Sequence, residues 1–190
     1  MRLYAQLGCR PTWTCAPYQL MGGPNFGDHI AVGESNAVAF YNSVIGARTN
    51  KYGDYLDVAC AITGLAPFAG LHTDEGRKGD IHFSCASIPD EWKRQDIFFH
   101  LLGHVLGRKT GRRIPVMSGL PKETTTDQLK ALGAASAASG GGELLHVVGV
   151  TPEAPTLDSV FRTGEKTEIT SNHLKTAHRE LSAFSDGPLD

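Results

Sequence analysis

Apolar residues recur along the 190 residues at two kinds of spacing, and the spacing predicts the elements. Ala37, Val38, Tyr41, Val44 and Ile45 form a helical stripe over 34–46, opened by Gly33-Glu34-Ser35 and stopped by Gly46. A second helix is predicted with Asp54 as its cap, Leu56, Val58, Ala59 and Ile62 inside, and Gly64 at its end. Residues 81–85 alternate like a strand. A third helix runs over 90–106 and stops at Gly107, and an Ala- and Leu-rich helix covers 126–138 before Gly140-Gly141-Gly142. The nearly continuous apolar run 144–150 reads as a strand buried on both faces. Thr156 and Ser171 read as caps of two further helices. Short buried strands alternating with flanking helices predict a layered α/β domain.

Composition narrows the possible functions. An apolar content of 41% with 20% charged residues is that of a soluble globular chain. A net charge of −2 leaves no basic footprint for nucleic acid or for an anionic membrane surface. No apolar run approaches the roughly 20 residues that cross a bilayer. The first residues lack a signal-peptide pattern, so a cytoplasmic protein is expected. Residues 184–190 read as a turn followed by the start of another element, as in a piece of a longer chain.

The cysteines are Cys9, Cys15, Cys60 and Cys85, with no C-x-x-C pair. Cys60 and Cys85 sit in apolar segments and read as small core residues. Cys15 lies between Pro11 and Pro17 on a segment unsuited to helix or strand, a place where a thiol can meet a metal or substrate. His100 and His104 have zinc-ligand spacing, but Leu101 stands where a metalloprotease has Glu, and both fall on a predicted solvated face. The Gly140–Gly142 run follows a helix and precedes a strand, the reverse of a phosphate loop, and reads as a helix stop. Glu34, Ser35 and Asn36 gather at a helix start, where free N–H groups attract a carboxylate; plain capping explains them equally well. Arg48 and Asn50 follow the Gly46 stop, where a guanidinium can meet an anionic substrate.

Three segments together resemble the catalytic region of the aconitase X family. They are residues 7–19, containing Trp13-Thr14-Cys15-Ala16-Pro17-Tyr18; residues 33–50, from Gly33-Glu34-Ser35-Asn36-Ala37-Val38 to Ala47-Arg48-Thr49-Asn50; and residues 146–156, His146-Val147-Val148-Gly149-Val150-Thr151-Pro152-Glu153-Ala154-Pro155-Thr156. Gly70-Leu71-His72 and Ile114-Pro115-Val116 fall where that family has similar words. The resemblance implies an aconitase-like α/β fold and a dehydratase acting on a small hydroxylated carboxylic acid. The substrate implied is cis-3-hydroxy-L-proline, favoured by residues 13–19, or else mevalonate 5-phosphate. It further implies iron held by cysteines, as an iron–sulfur cluster or a simpler centre, and a small swivelling domain or subunit that completes the site. Cys15 matches the first iron ligand, and Glu34 and Ser35 match substrate contacts.

Departures from the family pattern set further expectations. Cys9, Cys60 and Cys85 do not match the other two iron ligands, which would lie beyond Asp190. Residues 1–190 therefore read as the middle of a catalytic domain, incomplete at both ends, without the swivelling domain and inactive alone. The alternative to the dehydratase reading is a non-catalytic remnant or assembly subunit, able to act only beside a partner that supplies the missing ligands. Gly76 stands where a polar residue is expected between Glu75 and Arg77.

Overall fold

Alternation of Ile81 and Phe83 with Asp80, His82 and Ser84 gives the first strand one buried face, and the sheet grows from it. The computed structural model describes residues 2–10, 12, 14–53 and 55–183. In chain order the elements are α1 (Arg2–Gln6), α2 (Ser35–Phe40) running into a wide π-type turn (Tyr41–Ile45), α3 (Leu56–Thr63), β1 (Gly79–Ser84), α4 (Asp90–Lys93), α5 (Asp96–Thr110), β2 (Pro115–Ser118), α6 (Thr126–Ala138), β3 (His146–Val147), α7 (Leu157–Val160), β4 (Phe161–Glu168) and α8 (Ser171–Ser182). The four strands are parallel in the order β3-β2-β1-β4, with Ile81 opposite Pro115, Val116 opposite His146, and Ile81 opposite Glu165. Helices α5, α6 and α8 cover one face, where Ile81, Phe83, Met117 and Val147 meet Phe99, Leu102, Leu106, Leu132 and Leu174. The fold is the expected layered α/β arrangement.

Several boundaries differ from expectation for identifiable reasons. The helix expected to stop at Gly107 breaks instead at Arg94–Gln95 and then runs through Gly107 to Thr110. Glycine there permits a close helix crossing. A Cβ on Gly103 would lie 2.5 Å from the Leu132 carbonyl oxygen, and one on Gly107 would lie 2.4 Å from that of Ser136. Only His146 and Val147 of the 144–150 run join the sheet, although Leu144 and Leu145 are also buried. Thr170 rather than Ser171 caps α8, whereas Thr156 caps α7 as expected. The strand β4 was not expected, because its Phe-Arg-Thr-Gly-Glu-Lys-Thr-Glu run is mostly exposed on the sheet edge, where charge discourages further pairing.

Helix α3 also differs. Its expected cap, Asp54, lies outside the described residues, and its expected inner stripe is not buried: Ile62 is 68% exposed and Cys60 is its buried residue. Residues 184–190, expected to begin a new element, also lie outside the described residues.

A buried polar hub ties α2 to the sheet. Arg77, 4% exposed, grips Glu153 through three hydrogen bonds of 2.8–3.0 Å. It also donates to Asn42 Oδ1, to the Asn42 carbonyl and to the Leu71 carbonyl. Asn42 in turn donates to the carbonyls of Thr49 and Glu143 and accepts from the Thr49 amide. His146 Nε2 donates to the Arg77 carbonyl at 2.8 Å, which completes the hub. Every polar group of this cluster has a partner, the condition under which a buried ion pair is tolerated.

Candidate active site

Helix α2 begins with Ser35, and Glu34 sits just before it in an extended conformation (φ −83°, ψ 120°). No side chain caps this start. The first helical amides have no partner within the helix. Asn36 follows, and its buried Oδ1 has no hydrogen-bond partner. A lone buried acceptor of this kind is costly until a donor reaches it. Sequence left capping and ligand holding level for these residues; in the structure no side chain makes a capping hydrogen bond at this start.

Arg48 and Asn50 are committed to protein contacts. Arg48 donates to the His72 carbonyl at 3.0 Å and pairs with Asp74. This pair holds the Asp74 carboxyl below the usual carboxylate range. Asn50 donates to the Ala69 carbonyl and accepts from the Leu71 amide, so both ends of its amide staple the 69–71 turn. That turn closes tightly, because a Cβ on Gly76 would lie 2.0 Å from the Gly70 carbonyl oxygen. The polar residue expected at Gly76 would not fit this loop. His100 and His104 do not share a metal position: His100 Nδ1 pairs with the Asp96 carbonyl, and His104 with Ser139 and Glu180.

Cys15 is exposed on a bend after Thr14, whose hydroxyl accepts from the Ala16 amide. Two residues further, a 3₁₀ turn (Pro17–Gln19) lays the Tyr18 ring 4.4 Å from the Phe40 ring. That contact lies six residues along the helix from Glu34, roughly 9 Å along its axis. Cys60 and Cys85 are buried, and burial pushes the Cys85 thiol up to about 12, which leaves it unreactive. Among the described residues no three His, Cys, Asp or Glu side chains converge as a metal site.

The sequence reading missed a second cluster. The stretch 29–32 runs parallel to 48–51 through His29–Arg48 and Val32–Lys51 bridges and leads into Glu34. Here His29 Nδ1 lies 2.8 Å from His72 Nδ1, the two rings stack, and Tyr52 Oη lies 2.6 Å from His72 Nε2. His72 is 1% exposed, and burial, with His29, Arg77 and Arg48 nearby, lowers its pKa. His29 lines a cavity of about 420 Å³ with Ala31, Asp57, Cys60, Leu65 and Phe68. The one signal in sequence was His72 within Gly70-Leu71-His72; residue spacing alone could not pair it with His29.

Residues 1–75 match the family model described as "Aconitase X first domain", and residues 80–179 match "Aconitase X second domain". The chain belongs to the aconitase X family. Among aconitase X relatives, a cis-3-hydroxy-L-proline dehydratase of Pseudomonas aeruginosa is 42% identical over the whole of this chain and 33% of its own length. A phosphomevalonate dehydratase large subunit of Thermococcus kodakarensis is 43% identical over 80% of this chain and 38% of its own. The crystal structure of Thermococcus kodakaraensis aconitase X in holo form superposes with a TM-score of 0.83 at 37% identity, covering 94% of this chain and 45% of that one. The chain therefore spans about a third of the length of the first two relatives. The two aconitase X domains meet at 76–79, beside the Arg77 hub.

Proposed function

We propose that residues 1–190 form part of the catalytic domain of a hydro-lyase that removes water from a small hydroxylated carboxylic acid, with cis-3-hydroxy-L-proline as the favoured substrate. The observation that carries this reading is the 42% identity to the Pseudomonas dehydratase across the entire chain. Mevalonate 5-phosphate is the second reading, supported by the Thermococcus large subunit over a shorter span. The expectation of a partner, a small swivelling domain or subunit, draws on the words "large subunit" in that relative's name. Among the described residues no helix is long and apolar enough to cross a membrane, and a cytoplasmic location remains part of the proposal.

In this reading the free amides at the start of α2 hold the substrate carboxylate, and Glu34 pairs with the ring ammonium or the hydroxyl. Ser35 and Asn36 complete the contact, Asn36 Oδ1 taking a donor from the ligand. Arg48 and Asn50 act by holding the 69–74 turn against the site. The iron that the family calls for does not assemble from the described residues alone, since no three candidate ligands among them converge. Cys15 is proposed as one of its thiolates, with the rest supplied from outside this span. Replacing Cys15 with Ala should then lower bound iron, while replacing Cys85 should leave it unchanged.

The test is turnover by the holoprotein, reconstituted anaerobically with iron and sulfide beside its small partner. Loss of water across C2–C3 of cis-3-hydroxy-L-proline with release of the cyclic imino acid is expected. Turnover of mevalonate 5-phosphate alone would overturn the favoured substrate, and turnover of neither would overturn the dehydratase reading.

A further inference from the structure

We infer that Tyr18 and Lys130 are positioning residues that hold the Cys15 segment against α2; this rests on the reading of Cys15 as an iron thiolate given above. Exposure shows why the segment needs an anchor. Among the described residues from Arg2 to Met21 none is buried, and α1 buries no side chain. The hydrogen bonds that these residues make with described residues all stay within the stretch. Leu20 and Met21, next to Tyr18, lie exposed. Tyr18 is the residue of this stretch that packs on a core cluster, the one built from Ala37, Phe40, Tyr41 and Ala47.

The Tyr18 ring lies 4.4 Å from that of Phe40 and meets the Tyr41 ring edge-on at 6.3 Å. Phe40 and Tyr41 are themselves buried, so Tyr18 leans on fixed surfaces. Lys130 of α6 adds a cation, its Nζ 5.6 Å from the centre of the Tyr18 ring and 5.7 Å from that of Phe40. At such distances an ammonium is drawn to the negative face of an aromatic ring. Asp127, one turn earlier on α6, accepts from the same Nζ at 3.0 Å and sets where it points. Tyr18 belongs to the first aconitase X domain and Lys130 to the second, so the clasp crosses from one to the other.

The placement of Tyr18 carries over to Cys15 because the chain between them is stiff. Pro17 has its φ locked and restricts Ala16 before it. The Thr14 hydroxyl accepts from the Ala16 amide at 3.0 Å, a bond that spans Cys15. The Ala16 carbonyl accepts from the Gln19 amide at 3.0 Å, and that of Pro17 from the Leu20 amide at 3.1 Å. Three residues reach at most about 10 Å, so an anchored ring confines the thiol to the neighbourhood of α2, the helix that Glu34 precedes. Metal affinity depends on ligands that converge in one folded place, and a side chain held there in advance gives up less freedom on binding.

The experiment compares Tyr18→Ala, Tyr18→Phe, Lys130→Met, the control Leu20→Ala and the reference Cys15→Ala, each in the full protein beside its small partner. Hydrogen exchange is measured first, before iron is added. Tyr18→Ala should speed exchange of the Ala16, Gln19 and Leu20 amides by about tenfold, with the amides of α5 and α6 and the Tm little changed. Lys130→Met should speed the same amides by about two- to fivefold, although it lies in the other domain. Tyr18→Phe keeps the ring and should match wild type, as should Leu20→Ala. After anaerobic loading with iron and sulfide, release of iron to a chelator should follow the same order. Cys15→Ala should be fastest, Tyr18→Ala about tenfold faster than wild type, and Tyr18→Phe and Leu20→Ala unchanged. Unaltered exchange in Tyr18→Ala would overturn the anchor, and faster exchange with wild-type iron release would overturn its role toward Cys15. Tyr18→Phe behaving like Tyr18→Ala would overturn the ring contact as the cause. Wild-type iron release in Cys15→Ala would overturn the ligand reading, and this inference with it.

Discussion

The buried cluster that packs β1, β2 and β3 against α5, α6 and α8 contains 18 residues, whereas the largest cluster confined to residues before Arg77 contains Ala37, Phe40, Tyr41 and Ala47. Exposure follows the same division. Leu3, Leu7, Met21, Phe26, Tyr55, Ile62, Leu65 and Phe68 lie open in the first region, while among the described residues of the second Trp92, Ile97 and Leu181 are the large apolar ones exposed. Yet the groups proposed for the site, Cys15, Glu34 and Asn36, and the His29–His72–Tyr52 cluster near them all belong to the thin region. Loops and short helices can aim polar groups at a ligand only when something rigid holds them. Here the second region is that support, and the Arg77 hub is the joint.

Breaking the joint should have the largest effect. Arg77→Met strands Glu153, Asn42 and the Leu71 carbonyl, and removing one partner of a buried ion pair costs about 3–5 kcal/mol. In hydrogen exchange, amides of 36–47 should lose protection more than those of α5 and α6; equal loss would make the two regions one cooperative unit. Gly107→Ala disturbs the second region alone, and its Cβ meets backbone that cannot rotate away. A cost of about 1–3 kcal/mol in urea unfolding is expected, and unchanged stability would mean that α5 and α6 slide freely. Acid should weaken the joint more gently. Burial lowers the pKa of His146, so the unfolded chain gains its proton first. Stability is complete above the ordinary histidine value of 6.5 and is lost as pH falls below it toward the folded value. The urea midpoint should drop between pH 7 and 5, and His146→Gln should flatten that slope. Smallest of all, Leu65→Ser and Phe68→Ser should change the stability of the described fold by less than about 0.5 kcal/mol; a larger loss would mean that this surface is covered in solution.

Sequence patterning was more informative in the second region than in the first for the same physical reason. Helix α6 runs over 126–138 as expected, because Leu129 and Leu132 are buried in a real core and Thr125 with Gln128 forms a capping box. Strand β1 was legible from its alternation. Helix α3 was legible as a helix but not as a surface, since periodicity says which side is apolar and not whether anything covers it. Gly107 misled because glycine that ends a helix and glycine that lets two helices touch look alike in sequence. In the site, Glu34, Ser35 and Asn36 could be placed at a helix start from neighbouring residues. The His29–His72 contact joins positions 43 apart through the 48–51 pairing, and no local pattern encodes it.

Glu34→Gln in the holoenzyme gives the most direct test that the thin region carries the chemistry while the second region carries the stability. Glu34 is exposed, precedes α2 and makes no capping hydrogen bond, so the fold has no need of its charge. The account predicts that kcat for cis-3-hydroxy-L-proline falls by about 100-fold or more, as for loss of a group acting on the reacting centre, with Tm unchanged. Wild-type kinetics with a lowered Tm would contradict it and return Glu34 to a structural role at the start of the helix.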